Sequence, residues 1–370
     1  MREKAISTRQ AGIMLFVAMI CNKMLSLNSI LTYNTQNDAW IVFLVQFGID
    51  FLFSLIFIYF IRTIDKPIFE YLKEKFGKVV SILVAILVAV IFLFKTTEVM
   101  VDTYLFFVHS IYADFDRILF IVCFLTVVYF FGSRKFRSLG RTAELLFVLI
   151  IFSLVLCFLM ALKAVDLEKI LPIFNTNFHI LNRTIVQHNL WFGDFWLFFF
   201  LIGNIKVEKN STKKLIWSYL ISCAVVIVFV VMFICAFGGT ASMHRVSSID
   251  ITEYAPRLIA QARFNWLAYF TFPIALVLGI GIYSNCSNMC IKTLVRNKFK
   301  SKNTISIFIT TALILAIWII FDFTYTPFYN FATGNVVYYV IFVQYVLPII
   351  LLFMINVSNR ITEKRLVKVW

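Results

Sequence analysis

Residues 12–31 read GIMLFVAMICNKMLSLNSIL. The stretch has the roughly 20 residues that an α-helix needs to cross hydrocarbon. Its first half is uniformly apolar, while its second half carries Asn22, Lys23, Ser26, Asn28 and Ser29. Asn and Ser side chains compete for the backbone's own hydrogen bonds. Two readings follow: a span whose helix unwinds near Cys21–Asn28, or an intact helix whose polar face packs on its neighbours.

Outward from this stretch, apolar runs recur to the end of the chain. Ten spans are expected, at about 11–31, 39–61, 79–107, 118–131, 143–162, 189–205, 215–238, 265–287, 304–322 and 336–356. With 61% hydrophobic residues and a mean hydropathy of +0.90, a water-soluble domain could not bury its apolar surface. Only helices or closed barrels satisfy the backbone inside a bilayer. The expected fold is all-α integral membrane.

Lys and Arg sort by alternate gaps. The N-terminus, the gaps after spans two, four, six and eight, and the tail hold 25 of the 34; the other gaps hold 7. Only Lys23 and Lys95 lie inside spans. The basic side is expected to be cytoplasmic, with both termini inside and an even number of spans. The net charge of +15 then reports topology; no nucleic-acid partner is expected. Met1–Gln10 is too short and polar for a cleaved signal. The seven cysteines fall mostly within apolar spans, without disulfide or zinc spacing. His109, His179, His188 and His244 all fall in expected outer gaps. No cofactor or metal is expected.

The sixth span (189–205), within the string HNLWFGDFWLFFFLIGNI that begins at His188, is interrupted by Gly193 and Asp194. If the chain divides into two halves of five spans, about 11–162 and 189–356 with a tail 357–370, then spans one and six correspond. Interrupted segments at matching places in oppositely oriented halves point to a transporter-type site. Span three adds Lys95, Glu98 and Asp102, which spacings of three and four place on one helical face. A Lys95–Glu98 pair would neutralise both charges; a ligand or proton role is the alternative, since ionisable groups inside membranes are functional suspects. Lys23 has no acid in its own span and could pair with Glu98 or Asp194. Asp50 is expected to pair within the bundle or sit near solvent, and Asp322 to be interfacial. Arg62–Lys78 is expected to be a membrane-surface helix with Ile68, Phe69, Leu72 and Phe76 on one side. Ile251–Arg263 is expected as a short outer helix starting at Thr252–Glu253, with Pro256 early in it.

Several strings resemble one known family. These are Ile6-Ser7-Thr8-Arg9-Gln10, the run Lys23–Leu27, Asn37-Asp38-Ala39-Trp40, Lys75-Phe76-Gly77-Lys78, Arg141-Thr142-Ala143-Glu144 and Ile170-Leu171-Pro172-Ile173. Their order and position are similar to the spore germination receptor B-subunit family, the endospore germination permeases, within the amino acid–polyamine–organocation transporter superfamily. The resemblance implies a five-plus-five inverted repeat with interrupted helices one and six. It implies a sensor of small nutrients, typically amino acids, in the endospore inner membrane, acting with A-type and C-type receptor subunits. It would place a ligand against Asn22–Ser26 and Phe192–Asp194. Asn22 and Asn28 stand where the family commonly has Gly and Pro, a bulky departure beside the backbone a ligand would approach.

The residues expected to meet a ligand are thus Asn22, Lys23, Ser26, Thr97, Glu98, Phe192, Gly193 and Asp194. Charge pairing or proton coupling falls to Lys23, Lys95 and Glu98. The partners expected are a small nutrient, the A-type and C-type subunits and the lipid bilayer. A secondary transporter of amino acids or organic cations, or a ligand-inert scaffold, shares the same sequence features. An enzyme is not expected: the chain has no HExxH, phosphate-binding glycine loop or nucleophile elbow.

Overall fold

The computed structural model describes residues 5–254, 259–295, 302–321 and 324–367. The chain is all helical among them, apart from one isolated bridge between Ile6 and Ile205. Span one is α1 (Thr8–Lys23) and α2 (Leu27–Thr35); span two is α3 (Ala39–Thr63). A short α4 (Ile68–Phe76) leads into α5 (Lys78–Ser110), then α6 (Arg117–Ser133), α7 (Phe136–Ala161) and α8 (Phe178–Gln187). Span six contains α9 (Leu197–Leu201), and α10 (Ser211–Phe237) and α11 (Ser247–Tyr254) follow. The chain continues with α12 (Ile259–Leu294), α13 (Lys302–Ile320), α14 (Tyr325–Ala332), α15 (Val336–Ile341) and α16 (Leu347–Val367). Among the described residues, seven helical stretches are long and apolar enough to cross a membrane, and α6 and the front of α1 are shorter apolar helices.

The outward face of α7 shows what surrounds the bundle. Leu145, Val148, Phe152, Val155 and Leu159 recur at helical spacing and are all exposed. Such a stripe is stable against lipid and costly against water. The opposite face of α7 packs on α1 and α12, and α12 runs along α5 at the centre.

Loop contacts sort the chain's gaps into two ends, as alternate crossings require. At one end the N-terminal segment pairs with residues after span six through Ile6 N–H to Asn204 O (2.8 Å) and Lys206 N–H to Ile6 O (2.9 Å). Gln10 donates to Glu144 (2.8 Å) at the start of α7. Asn285 donates to Phe131 O and Arg134 O in the gap after α6. Gly203 (φ +71) lies flat on the backbone of Lys66; a Cβ there would fall 2.1 Å from the Lys66 carbonyl carbon. At the other end Asp38 accepts from Phe174 N–H (2.7 Å) and Thr176 N–H (2.8 Å), and Asp166 N–H bonds Cys235 O (3.0 Å).

Local sequence explains the element starts. The Ser7-Thr8-Arg9-Gln10 string is a capping box: Ser7 Oγ accepts from Gln10 N–H, and Gln10 Oε1 accepts from Ser7 N–H. Asp116 caps α6 by accepting from Ile118 and Leu119 N–H.

Two expectations about surface helices change. The apolar side of α4 does not face a membrane surface. Ile68 and Leu72 are buried in the bundle, and Phe69 meets the rings of Phe199 (5.6 Å) and Phe200 (6.4 Å). The aromatic end of span six thus covers the face that the sequence left open. The outer helix starts at Ser247, not at Thr252–Glu253; Thr252 is interior and its hydroxyl bonds Ile249 O. Pro256 and Asp322 lie outside the described residues.

Candidate functional site

Helix one is broken. Between α1 and α2, residues 24–26 are non-helical, and the carbonyls freed there are collected by side chains. Asn28 Nδ2 donates to Lys23 O (2.9 Å). Ser247 Oγ, from α11, lies 3.1 Å from Met24 O and 2.6 Å from Leu25 O, and accepts from Asn28 Nδ2 (2.8 Å). Unsatisfied carbonyls in a membrane interior cost several kcal/mol, so Asn28 and Ser247 together make the break tolerable. The bulk of Asn28 is therefore no obstruction; its amide replaces lost helix bonds. Asn22 lies on the last turn of α1 by its backbone, and its side chain falls outside what is described.

Span six is broken by Gly193, whose φ of +79° is left-handed. Before it come a 3-10 turn at Asn189–Trp191 and extended Phe192; after it come a 3-10 turn at Asp194–Trp196 and α9. A Cβ on Gly193 would sit 2.5 Å from Gln344 Nε2. The Gly193 N–H is held by Asp50 Oδ2 (2.7 Å), and the Phe192 carbonyl accepts from Gln344 (3.2 Å). Gln344 and Tyr345 belong to a π-helical turn, Phe342–Val346, inside span ten. Such bulges re-aim side chains and concentrate at functional sites. Here the turn directs Tyr345 to Asp50 (3.0 Å), Gln46 (3.2 Å) and Asn189 (3.0 Å).

The two breaks meet at Asp194. Lys23, at the end of α1, forms a direct ion pair with Asp194 Oδ2. Lys95 Nζ lies 2.8 Å from Asp194 Oδ1, and Tyr283 OH donates to the same oxygen at 2.7 Å. All four groups are at most 2% exposed. The Lys23 ammonium also lies 5.4 Å and 5.9 Å from the ring centres of Phe192 and Phe47, and that of Lys95 lies 5.5 Å from Tyr283. Lys95 is thus not paired with Glu98, which the spacing on α5 suggested; its side chain reaches across to span six.

Glu98 is 2% exposed; its carboxyl lies against that of Asp102, and neither of its oxygens receives a donor from another described residue. Asp102, one turn further along α5, accepts from Ser26 Oγ (2.7 Å) through Oδ1, while Oδ2 receives no donor from another described residue. Ser26 also lies 3.4 Å from Tyr325 OH. Tyr325 opens onto a cavity of about 210 Å³ lined by Ser29, Ile30, Tyr33, Ser242 and Tyr329 as well. The Thr97 hydroxyl is turned back onto Leu93 O (3.0 Å) and makes no contact with the charged cluster.

Sequence reasoning missed Tyr283, Ser247, Gln344, Tyr345 and Tyr325. Gln344 was the readable one, a lone amide within an apolar span. At the end of the bundle where α5 meets α11, His109 Nε2 lies 3.0 Å from Asp250 and His244 Nδ1 3.7 Å from it. Burial lowers the pKa of His244 and outweighs the attraction of Asp250. Among the described residues no group of three or more His, Cys, Asp or Glu side chains is placed to hold a metal ion.

The overall fold is similar to that of solved transporter structures. Three mutant structures of a manganese transporter from Eremococcus coleocola superpose with TM-scores of 0.58–0.59 at 10–11% identity. They cover 96% of this chain and 85–86% of theirs. At that identity the likeness concerns the fold alone. No curated protein matches the chain. A family model described as "Spore germination protein" matches residues 5–326, and the chain belongs to that family of spore permeases.

Proposed function

We propose that this membrane protein is the nutrient-sensing subunit of a spore germination receptor. It binds a small molecule, an amino acid in the first instance, between the broken helices and passes the change to A-type and C-type partner subunits. The basic loops and both termini face the cytoplasm.

The observation that carries this reading is the junction of the two breaks through Lys23 and Asp194. A ligand shifts a conformational equilibrium only if it binds the two states unequally. The junction supplies such a difference, because an incoming charged group competes with an internal ion pair that holds the two broken segments together. One cavity beside the helix-one break, between Met24, Ser153, Leu154 and Cys157, is only about 10 Å³. That volume suits at most one water. In this reading the arrangement is the closed state that a nutrient would open.

The test is the thermal stability of the purified full chain against amino acids, nucleosides, sugars and salts, since a ligand specific to the folded state stabilises it by mass action. Stabilisation by one nutrient, lost in Lys23→Ala, supports the reading. A folded sample that responds to nothing refutes it for the isolated chain.

A second reading, a secondary transporter of amino acids or organic cations, is favoured by the buried carboxyl of Glu98, which lies against that of Asp102, a suitable proton carrier. Gradient-driven, saturable uptake into proteoliposomes distinguishes it from sensing.

A further inference from the structure

The charges buried in the bundle interior do not balance. Among the described residues of the spans, two cations, Lys23 and Lys95, face four carboxyls, Asp50, Glu98, Asp102 and Asp194. The hydrogen bonds show where the excess lies. Asp194 is saturated by both lysines and Tyr283. Asp50 holds a backbone N–H and a tyrosine hydroxyl. The carbonyls of the helix-one break are occupied by Asn28 and Ser247. What remains is the Glu98–Asp102 pair, whose carboxyls lie against each other and whose Glu98 Oε1 and Oε2 and Asp102 Oδ2 are buried without a donor from any other described residue.

We propose that Glu98 and Asp102 form the subsite for a primary ammonium group of the ligand, reached from the tyrosine-lined cavity past Tyr325 and Ser26. The proposal rests on the ligand-binding reading above and names the chemistry of its cationic end. A primary ammonium carries three N–H donors and no acceptor, which matches the three open oxygens in number and sign. A quaternary ammonium has the charge without the donors. A carboxylate would be repelled by both acids, and to meet a cation it would have to displace Asp194 from Lys23 or Lys95. The approach is also suited to a cation. Tyr325 and Tyr329 stack at 5.9 Å on one side of the cavity, and aromatic faces attract ammonium groups. From there the Ser26 hydroxyl, within 3.4 Å of Tyr325 and 2.7 Å of Asp102, is the last hydrogen-bonded step to the carboxyls.

The experiment uses the full chain in lipid nanodiscs. It measures thermal stabilisation and binding isotherms for the twenty amino acids, their descarboxy amines, their desamino acids and tetramethylammonium. The expected result is that amine-bearing probes bind and the desamino acids and tetramethylammonium do not. Glu98→Gln should weaken amine binding by about 30-fold or more, the loss typical of removing one partner of a buried charged hydrogen bond. It should leave the ligand-free unfolding midpoint unchanged or raised, because an unpaired buried charge is removed. Asp102→Asn, which keeps an acceptor for Ser26, should weaken the same probes and serves if Glu98→Gln fails to fold. Equal amine affinity in wild type and in a folded variant overturns the proposal. So does binding confined to desamino acids and abolished by Lys23→Ala, an outcome that leaves the sensing reading intact. So does a Glu98-dependent response to pH with no affinity for any amine, which would make the pair a proton site. Silence of folded protein toward every probe overturns both readings together.

Discussion

Asp194→Asn keeps the shape of the side chain and removes its charge, and the structure makes it the most damaging isosteric change in the bundle. Lys23 and Lys95 both depend on this carboxylate, and each is essentially unexposed. Removing one member of a buried ion pair typically costs 3–5 kcal/mol, because the other charge is left without a partner. Here one substitution strands two ammonium groups, so a loss of about 5 kcal/mol or more is expected. Lys23→Met is a different perturbation. It removes one of two cations, and Asp194 keeps Lys95 at 2.8 Å and Tyr283 at 2.7 Å. The expected cost is about 1–3 kcal/mol, the range for losing one partner of a group that retains others. Lys95→Met should behave similarly. Replacing all three together, Lys23→Met with Lys95→Met and Asp194→Asn, should recover most of the loss, since no charge is stranded. Equilibrium unfolding in mixed micelles, followed by tryptophan fluorescence, reads the four variants on one scale. The reasoning fails if Asp194→Asn costs no more than Lys23→Met, or if the triple variant is the least stable of the set.

Gly193→Ala must place a side chain at φ +79° and 2.5 Å from Gln344. A destabilisation of about 2–4 kcal/mol is expected from the left-handed backbone and the overpacking, and Gln344→Ala in the same chain should relieve part of it in an unfolding titration. Ser247→Ala withdraws the hydroxyl that serves Met24 O and Leu25 O. It should cost about 1–3 kcal/mol and speed amide exchange at residues 24–28; unchanged exchange would mean that the break is held by other contacts. His188 gives a pH dependence. Its Nδ1 lies 2.8 Å from Thr184 O, so it carries the proton, and Nε2 accepts from Tyr329 (3.1 Å). Burial lowers its pKa from 6.5 to about 4. The unfolded state therefore binds the proton first, and stability present above pH 6.5 is lost as pH falls toward 4, by about 3 kcal/mol at the limit. His188→Gln should flatten that slope in a pH series of melting curves, and an unaltered slope would assign it to other groups.

The fold was legible in the sequence to the extent that its physics is local. Hydrophobic length fixed the spans. Asn22 to Ser29 and Gly193-Asp194 marked the two interruptions, because polar side chains and glycine act on the backbone where they stand. Pairing was less legible. Lys95 and Glu98 share a helical face, and spacing alone joins them, but the partner of Lys95 is 99 residues away and only packing of α5 against span six brings it near. Asn28 read as an obstacle because its bulk is visible in the sequence and the carbonyl it satisfies is not. Ser247 and Tyr283 could not be singled out, since a hydroxyl gains its role only from what the fold sets opposite it. The Glu98–Asp102 spacing was visible; that three of their oxygens lack donors was not.

The bridge between Ile6 and Ile205 has a mechanical consequence. α1 is fastened to the second half of span six at two points: near one end through the backbone at Ile6, Asn204 and Lys206, and at its other end through Lys23 and Asp194. Two fastenings make a strut that resists shear, so α1 and residues 194–205 travel as one piece. At the other end of the two breaks, α2 and α8 pack against each other and form a second piece. Between the two pieces the chain passes through residues 24–26 and through residues 188–193. Any stroke of the molecule that rotates one piece on the other pivots there, and the N-terminal segment, riding on the strut, carries that rotation to the surface of the bundle.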